Sequence, residues 1–250
     1  MTPAEIDGRT SVSSYHLPAD LIRIWRVPLD HISAIYGRLE ATLSRDETDR
    51  ASRFHFERDR RRFTATRGTL RTILGGYLKT DPQLVKFDYG PQGKPSLAPA
   101  ISDIRFNVAH SEELALIALS RERELGVDVE HIRPLNWAEQ IPERFFSSQE
   151  AAELRSLPRH QADAAFFACW TRKEAYIKAR GGGLSIPLDS FSVSLDPSKP
   201  AALLHVVDDS NEVSRWAMVE LQAAPGYAGA LVAEGKNWNF SYCDFSDAQV

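Results

Sequence analysis

The stretch Trp170-Thr-Arg-Lys-Glu-Ala-Tyr-Ile-Lys178 lies in a segment that has neither glycine nor proline from Ala162 to Arg180. Such a segment predicts a helix. Trp170, Glu174 and Lys178 are spaced four residues apart, so they share one face of that helix. This face therefore presents a carboxylate and an ammonium group beside a large aromatic ring.

An earlier segment, Gly126-Val-Asp-Val-Glu130, has the alternation of a β-strand, with both carboxylates on one face. If the helix packs near that face, Asp128, Glu130, Glu174 and Lys178 converge. Three clustered anions repel one another and need a cation, and oxygen-only ligands suit Mg²⁺. Each segment alone has a simpler explanation, either a solvated strand face or a core tryptophan with an exposed ion pair.

Composition predicts a soluble globular protein. The chain has 250 residues, a net charge of −4, and only Cys169 and Cys243 as cysteines. It has no apolar run that could span a membrane, and its N-terminus lacks the pattern of a signal peptide. We therefore expect a cytoplasmic protein without disulfides that binds neither nucleic acid nor membrane, with Cys169 as a core residue.

The order of predicted elements is similar in the two halves of the chain, which favours an α+β fold. Each half has a long helix followed by strands, and we place the boundary between residues 1–122 and 123–250. Serine caps with an acid three residues later open helices at Ser44 and Ser147. The predicted long helices are Arg58–Leu78 and Ala162–Ala179, and the predicted strands are Leu21–Val27, Val85–Asp88, Ile104–Val108, Leu114–Leu119, Phe191–Leu195, Trp216–Leu221 and Tyr227–Val232.

The motifs occur in an order that resembles the Sfp-type 4′-phosphopantetheinyl transferases. Asp128-Val-Glu130 is followed by Trp170, Lys173, Glu174 and Lys178. The resemblance extends to Gln92-Gly-Lys-Pro95, Phe106-Asn-Val-Ala-His-Ser111, Arg144-Phe-Phe-Ser147 and the stretch from Gly181 to Phe191. It implies two similar α/β halves packed as an intramolecular pseudo-dimer, with the substrate in the cleft between them and a monomeric enzyme.

The resemblance also implies a site. Asp128, Glu130 and Glu174 would bind Mg²⁺, or Mn²⁺, while Lys178 would meet a phosphate oxygen. Glu174 would also take the proton of the attacking serine, or orient a water that does so. Coenzyme A would contact a set of residues that also includes Lys178, namely Arg50, Arg67, Gly93, Lys94, Pro95, His110 and Ser111. For Lys173 a phosphate contact and a surface charge stay equally open.

Some positions depart from the pattern of this family, and others have two possible interpretations. Ala109 stands where the family commonly has serine, and Glu47 stands where it has a basic residue. The arginines from Arg45 to Arg71 are also typical of a solvated helix face. Phe145 and Phe146 are either core residues or an apolar ledge for a protein substrate.

The implied function is transfer of 4′-phosphopantetheine from coenzyme A to a serine of an apo acyl or peptidyl carrier protein, releasing adenosine 3′,5′-bisphosphate. The Trp-x-x-Lys-Glu-Ala form resembles members that serve polyketide or nonribosomal peptide synthesis. Two alternatives remain. A different Mg²⁺-dependent phosphate enzyme would share the acids but should carry a phosphate loop, which this sequence lacks. A non-catalytic module that binds carrier proteins should lack one of the three acids.

Overall fold

The computed structural model describes residues 3–6, 15–30, 32–98, 100–136, 141–195, 199–207 and 209–246. The helices are α1 (Tyr36–Ala41), α2 (Arg45–Ala51), α3 (Glu57–Leu78), α4 (Ile141–Phe145), α5 (Ser148–Ser156), α6 (Arg159–Arg180) and α7 (Asn211–Arg215). The strands are β1 (Ala4–Glu5), β2 (Leu21–Pro28), β3 (Asp88–Tyr89), β4 (Pro95–Ser96), β5 (Ile104–Ser111), β6 (Leu114–Arg121), β7 (Leu125–His131), β8 (Phe191–Val193), β9 (Leu203–Val206), β10 (Trp216–Glu220), β11 (Tyr227–Glu234) and β12 (Asn239–Asp244).

The larger sheet has the strand order β1-β12-β2-β6-β5. Strands β2, β6 and β5 pair antiparallel, whereas β12 from the end of the chain pairs parallel with β2. Helix α3 covers one face of this sheet, where Leu70, Ile73 and Leu74 pack against Trp25 and Ile117. The α3 residues recur at helical spacing, and on β6 Ala115, Ile117 and Leu119 lie at every second position, so the helix and this face of the sheet bury apolar side chains against each other.

The second sheet has the order β10-β11-β7 and is antiparallel throughout. Helix α6 covers one face with Tyr176 and Ile177. The opposite face packs on the first sheet through an apolar layer that includes Val127, Leu231 and Ile24. The layers therefore run helix, sheet, sheet, helix, which brings β7 and α6 next to the ends of β5 and α3.

The predicted α+β class is confirmed, and so are both serine caps. The Ser44 N–H donates to Glu47 Oε2 at 3.0 Å, and the Ser147 N–H donates to Glu150 Oε2 at 2.9 Å. The predicted division at residue 122 stays a prediction. Among the residues described, no helix is both long and apolar enough to cross a lipid bilayer.

The predicted strand Val85–Asp88 is wrong for most of its length, since only Asp88 and Tyr89 pair, with Pro95 and Ser96. The carbonyl of Val85 instead accepts a hydrogen bond of 2.9 Å from Nη1 of Arg71, which also donates to Pro82 O at 3.0 Å. The buried guanidinium of Arg71 therefore supplies the hydrogen bonds that the N–H groups of a neighbouring strand would otherwise donate to these carbonyls.

Candidate active site

A glycine lets helix α6 approach strand β7 closely. A Cβ atom on Gly126 would lie 2.1 Å from Ala175 O and 2.4 Å from the Ala179 nitrogen, so no larger residue fits there. Asp128 and Glu130 follow Gly126 at every second position and therefore lie on the same strand face. The contact between helix and strand is the one that the sequence predicts, and it places both acids beside α6.

Asp128 is joined to α6 by an ion pair, in which Lys178 Nζ lies 2.6 Å from Asp128 Oδ1. The carboxyl is buried, and its second oxygen, Oδ2, has no hydrogen-bond partner. Burial raises the pKa of Asp128 to about 7; the charge of Lys178 opposes this shift, and the charges of Glu130 and Glu174 add to it. The site thus concentrates negative charge that Lys178 only partly offsets.

Glu174 and Glu130 complete the acidic group. Glu174 is half-buried, and burial together with the charge of Glu130 raises its pKa, against the opposing effect of Lys178. Glu130 Oε2 accepts a hydrogen bond of 2.8 Å from Ser111 Oγ, which in turn accepts one from the His131 N–H at 3.1 Å. Ser111 therefore links the ends of β5 and β7.

The acids suit a hard cation by their chemistry. The unpartnered Asp128 Oδ2 is a buried anionic oxygen, and the three residues supply carboxylate oxygens only, which Mg²⁺ prefers. In the part of the chain that the structure describes, no three His, Cys, Asp or Glu side chains converge closely enough to hold a metal as they stand. One oxygen of Asp128 is bonded to Lys178, so metal binding at all three acids stays a prediction.

A cleft of about 440 Å³ opens beside this acidic group. Three of its lining residues, Glu174, Ile177 and Lys178, come from α6. The others include all the residues predicted to meet coenzyme A except Ser111, namely Arg50, Arg67, Gly93, Lys94, Pro95 and His110. The structure thus brings together side chains from α2, α3, the turn before β4, β5 and α6, which are distant in sequence.

Arg67 is the most buried of the cations that line the cleft. It is 9% exposed, and its guanidinium carbon lies 5.2 Å from the centre of the Phe87 ring. Burial lowers its pKa, and Glu47 lies 3.6 Å from its Nε. Its Nη1 is buried and has no hydrogen-bond partner. A guanidinium N–H without an acceptor suits a phosphate oxygen.

His110 and Arg50 are exposed at the cleft. Desolvation lowers the pKa of His110, and the positive charges of Lys178 and Arg62 lower it further, so the imidazole is neutral near pH 7. The guanidinium of Arg50 lies 5.2 Å from the centre of the Phe63 ring. Both side chains can therefore turn toward an anion in the cleft.

Glu47 and Arg71 form a buried ion pair that was not predicted from the sequence. Arg71 Nε donates to Glu47 Oε2 at 2.6 Å, and the two residues are 2% and 1% exposed. Burial therefore excludes the alternative interpretation, a solvated arginine face, for Arg67 and Arg71. The pair also explains why an acid occupies position 47, because it neutralises two buried arginines.

The position of Lys173 contradicts both interpretations from the sequence, a phosphate contact and a surface charge. Its side chain is fully buried, with Nζ 2.8 Å from Glu150 Oε2 and hydrogen bonds to Leu188 O and Phe191 O of 2.8 and 2.7 Å. It is neither a surface charge nor a phosphate contact. Glu150, recognised from sequence only as a helix cap, is its partner. Cys169 is buried in the same core, as predicted.

The two adjacent phenylalanines have different environments. Phe146 is 3% exposed and belongs to the core, whereas Phe145 is 40% exposed. The ring of Phe145 meets Trp170 edge-on with a centroid distance of 5.9 Å. Since Trp170 precedes Glu174 by one helical turn, this aromatic pair continues the α6 face that carries Glu174 and Lys178.

Comparison with known proteins gives two family matches. Residues 31–122 match the family described as 4′-phosphopantetheinyl transferase, N-terminal, and residues 124–233 match the 4′-phosphopantetheinyl transferase superfamily. The chain is 43% identical over 224 residues to the 4′-phosphopantetheinyl transferase HetI of Nostoc sp., covering 89% of this chain and 91% of HetI. It is 30% identical over 196 residues to the 4′-phosphopantetheinyl transferase Sfp of Bacillus subtilis, covering 78% and 84%.

Proposed function

Because this chain belongs to the 4′-phosphopantetheinyl transferase superfamily, we propose that it transfers 4′-phosphopantetheine from coenzyme A to a serine of an apo carrier protein. The other product is adenosine 3′,5′-bisphosphate. The observation that carries this proposal is the junction of β7 and α6, where Asp128, Glu174 and Lys178 meet at one wall of a cleft lined by cations. Such a cleft suits a substrate with a pyrophosphate and a third phosphate.

The three acidic residues would form the metal site. Asp128, Glu130 and Glu174 would hold Mg²⁺, or Mn²⁺ in its place. The bound metal would neutralise charge on the pyrophosphate as the bridging oxygen leaves. The unpartnered Asp128 Oδ2 supports this assignment.

The serine oxygen of the carrier attacks the β-phosphate in line with the leaving group. Glu174 accepts the serine proton or orients a water that accepts it, and its raised pKa makes it a stronger base than an exposed glutamate. Lys178 supplies positive charge at a phosphate oxygen. No covalent enzyme intermediate is required.

At the nucleotide end, Arg67 is our candidate for the 3′-phosphate, because its Nη1 is buried without an acceptor. His110 and Arg50, which line the cleft, would add contacts to coenzyme A, and so would the backbone around Gly93 and Pro95. Ser111 acts through Glu130, to which it is hydrogen-bonded. For the carrier protein, the exposed Phe145 beside Trp170 is our candidate ledge.

We further propose a cytoplasmic monomer that serves polyketide, nonribosomal peptide or similar synthesis. The monomer is supported by the cleft itself, whose lining comes from helices and strands of both family matches within one chain. Sedimentation velocity at assay concentrations measures this directly, and an active species twice the chain mass would contradict it.

The test of the function is incubation with coenzyme A, Mg²⁺ and a panel of apo carrier proteins, read by intact-protein mass spectrometry. We expect a mass gain equal to one phosphopantetheine group on at least one carrier. The gain should be absent when the carrier serine is replaced by alanine, and chelation should stop it until Mg²⁺ is restored. No gain on any carrier would reject the function.

A further inference from the structure

Lys94 lies at the end of a tight turn that aims its side chain at the second half of the protein. The Gly93 N–H donates to Gly90 O at 2.8 Å, and the Gly90 N–H donates to Lys94 O at 3.0 Å. Gly93 has a φ of 75°, a conformation that glycine adopts without strain. Strand β4 follows and fixes the turn against β3. Lys94 therefore lies on a short hydrogen-bonded hairpin.

The ammonium group of Lys94 is already occupied by protein acceptors. Its Nζ donates to Lys178 O at 2.8 Å and to Leu125 O at 3.2 Å, and Glu124 Oε2 lies 3.7 Å away. An ammonium group has three N–H donors. The two carbonyls take two of these donors, and the Glu124 carboxylate forms an ion pair beside them, so a substrate phosphate would have to compete with protein acceptors for this ammonium group.

The two carbonyls belong to the segments that carry the reactive groups. Leu125 begins β7 three residues before Asp128, and Lys178 is the residue whose own ammonium pairs with Asp128 at 2.6 Å. Lys94 is thus hydrogen-bonded to the main chain of both β7 and α6. These are the two elements that carry Asp128 and Lys178. The carbonyl of Lys178 is also in the last turn of α6, where a positive charge is favourable.

The same hairpin makes a second contact with the end of α6. A Cβ atom on Gly183 would lie 3.2 Å from Gln92 Cβ, so the loop after α6 packs directly on the hairpin. Contacts at Gln92 and Lys94 therefore both hold the hairpin against the end of the helix. Displacing the Lys94 ammonium toward a ligand would break the second of these contacts.

We infer that Lys94 is a positioning residue, which fixes β7 and the last turn of α6 relative to each other and so sets the geometry of Asp128 and Lys178. This role replaces the side-chain contact with coenzyme A that the sequence resemblance implies for Lys94, and it rests on the proposed transfer reaction. A displacement of about 1 Å of a side chain in an active site, such as Asp128 or Lys178, can lower the rate by up to about a hundredfold.

The test compares Lys94→Met, Lys94→Arg and the control Arg105→Met. Arg105 also pairs with Glu124, at 3.2 Å, but no hydrogen bond joins it to Lys178 or Leu125 in the part of the chain described. Two readouts are needed. The first is kcat and KM for coenzyme A and for 3′-dephospho-coenzyme A. The second is backbone hydrogen exchange of residues 125–128 and 176–183, which does not depend on activity.

For Lys94→Met we expect faster exchange in both segments and a kcat lowered about tenfold, with KM changed equally for the two substrates. Lys94→Arg keeps the charge but places its N–H donors on a longer, planar group, so it should restore exchange and kcat only in part. The control should match the parent in both readouts. A raised KM for coenzyme A alone, with parental kcat and exchange in Lys94→Met, would overturn the inference. If the parent itself transfers nothing, the proposed function fails, and unchanged exchange in Lys94→Met would then reject the positioning role separately.

Discussion

Replacing Lys173 with methionine tests the buried ion pair that joins α6 to α5. The substitution retains most of the aliphatic volume and removes the charge, which leaves Glu150 buried at 1% exposure and deprives Leu188 O and Phe191 O of their donor. Removing one partner of a buried ion pair typically costs about 3–5 kcal/mol. Glu150 retains N–H donors from Ser147 and Val193, at 2.9 and 2.8 Å, so we expect the lower end of that range, about 3 kcal/mol.

The free energy of unfolding is measured by urea titration with circular dichroism, and for a chain of this size about 3 kcal/mol corresponds to a melting temperature lowered by about 6–12 °C. Lys86→Met is the matched control, because Lys86 is exposed, and it should change stability by less than about 0.5 kcal/mol. The double variant Lys173→Met/Glu150→Gln should be more stable than the sum of the two single losses predicts. A Lys173→Met protein as stable as the Lys86→Met control would refute the reasoning.

The remaining predictions concern the site. Asp128→Ala should abolish transfer without unfolding the protein, since it removes a buried carboxylate whose charge is disfavoured; near-parental turnover would remove the metal assignment. Glu174→Gln should leave coenzyme A affinity unchanged and lower kcat at least about tenfold, as for a lost general base, whereas a change in affinity alone would make it a ligand contact. Arg67→Ala should raise KM for coenzyme A more than KM for 3′-dephospho-coenzyme A, and equal effects would rule out a 3′-phosphate contact there. Because the pKa of His110 is lowered, the imidazole is neutral at pH 7; coenzyme A affinity should rise as pH falls through that pKa, and the same rise in His110→Asn would contradict the contact. Phe145→Ala should raise KM for the carrier and spare coenzyme A affinity and thermal stability, and a melting temperature lowered by several degrees would assign the ring to the fold.

Local periodicity was enough to predict the elements that form the site. The alternation around Asp128 and the four-residue spacing of Glu174 and Lys178 give the correct faces of β7 and α6. Gly126 carried a further signal that could have been used, because a glycine inside a strand indicates close approach of another backbone. The two acid-containing serine caps were likewise predictable, since a cap depends on residues three positions apart.

Pairings between distant residues could not be predicted in the same way. Glu47 and Arg71 meet only because α2 packs on α3, and Glu150 meets Lys173 only because α5 packs on α6. A charged residue that is buried with its partner has the same local sequence pattern as one on the surface. The strand predicted at Val85 fails in a similar way. Its carbonyl accepts a hydrogen bond from Arg71, 14 residues earlier, which the local sequence pattern does not indicate.

The most direct test of the central claim is a time course that measures both products of the reaction for the parent and for Asp128→Asn. Holo-carrier is followed by mass, and adenosine 3′,5′-bisphosphate is followed by chromatography, with coenzyme A and Mg²⁺ in excess. We expect the two products of the parent to appear in equal amounts at the same rate, and Asp128→Asn, although folded, to form neither. Holo-carrier formed by Asp128→Asn at the parental rate, or nucleotide released by the parent without carrier modification, would contradict a transfer reaction centred on β7 and α6.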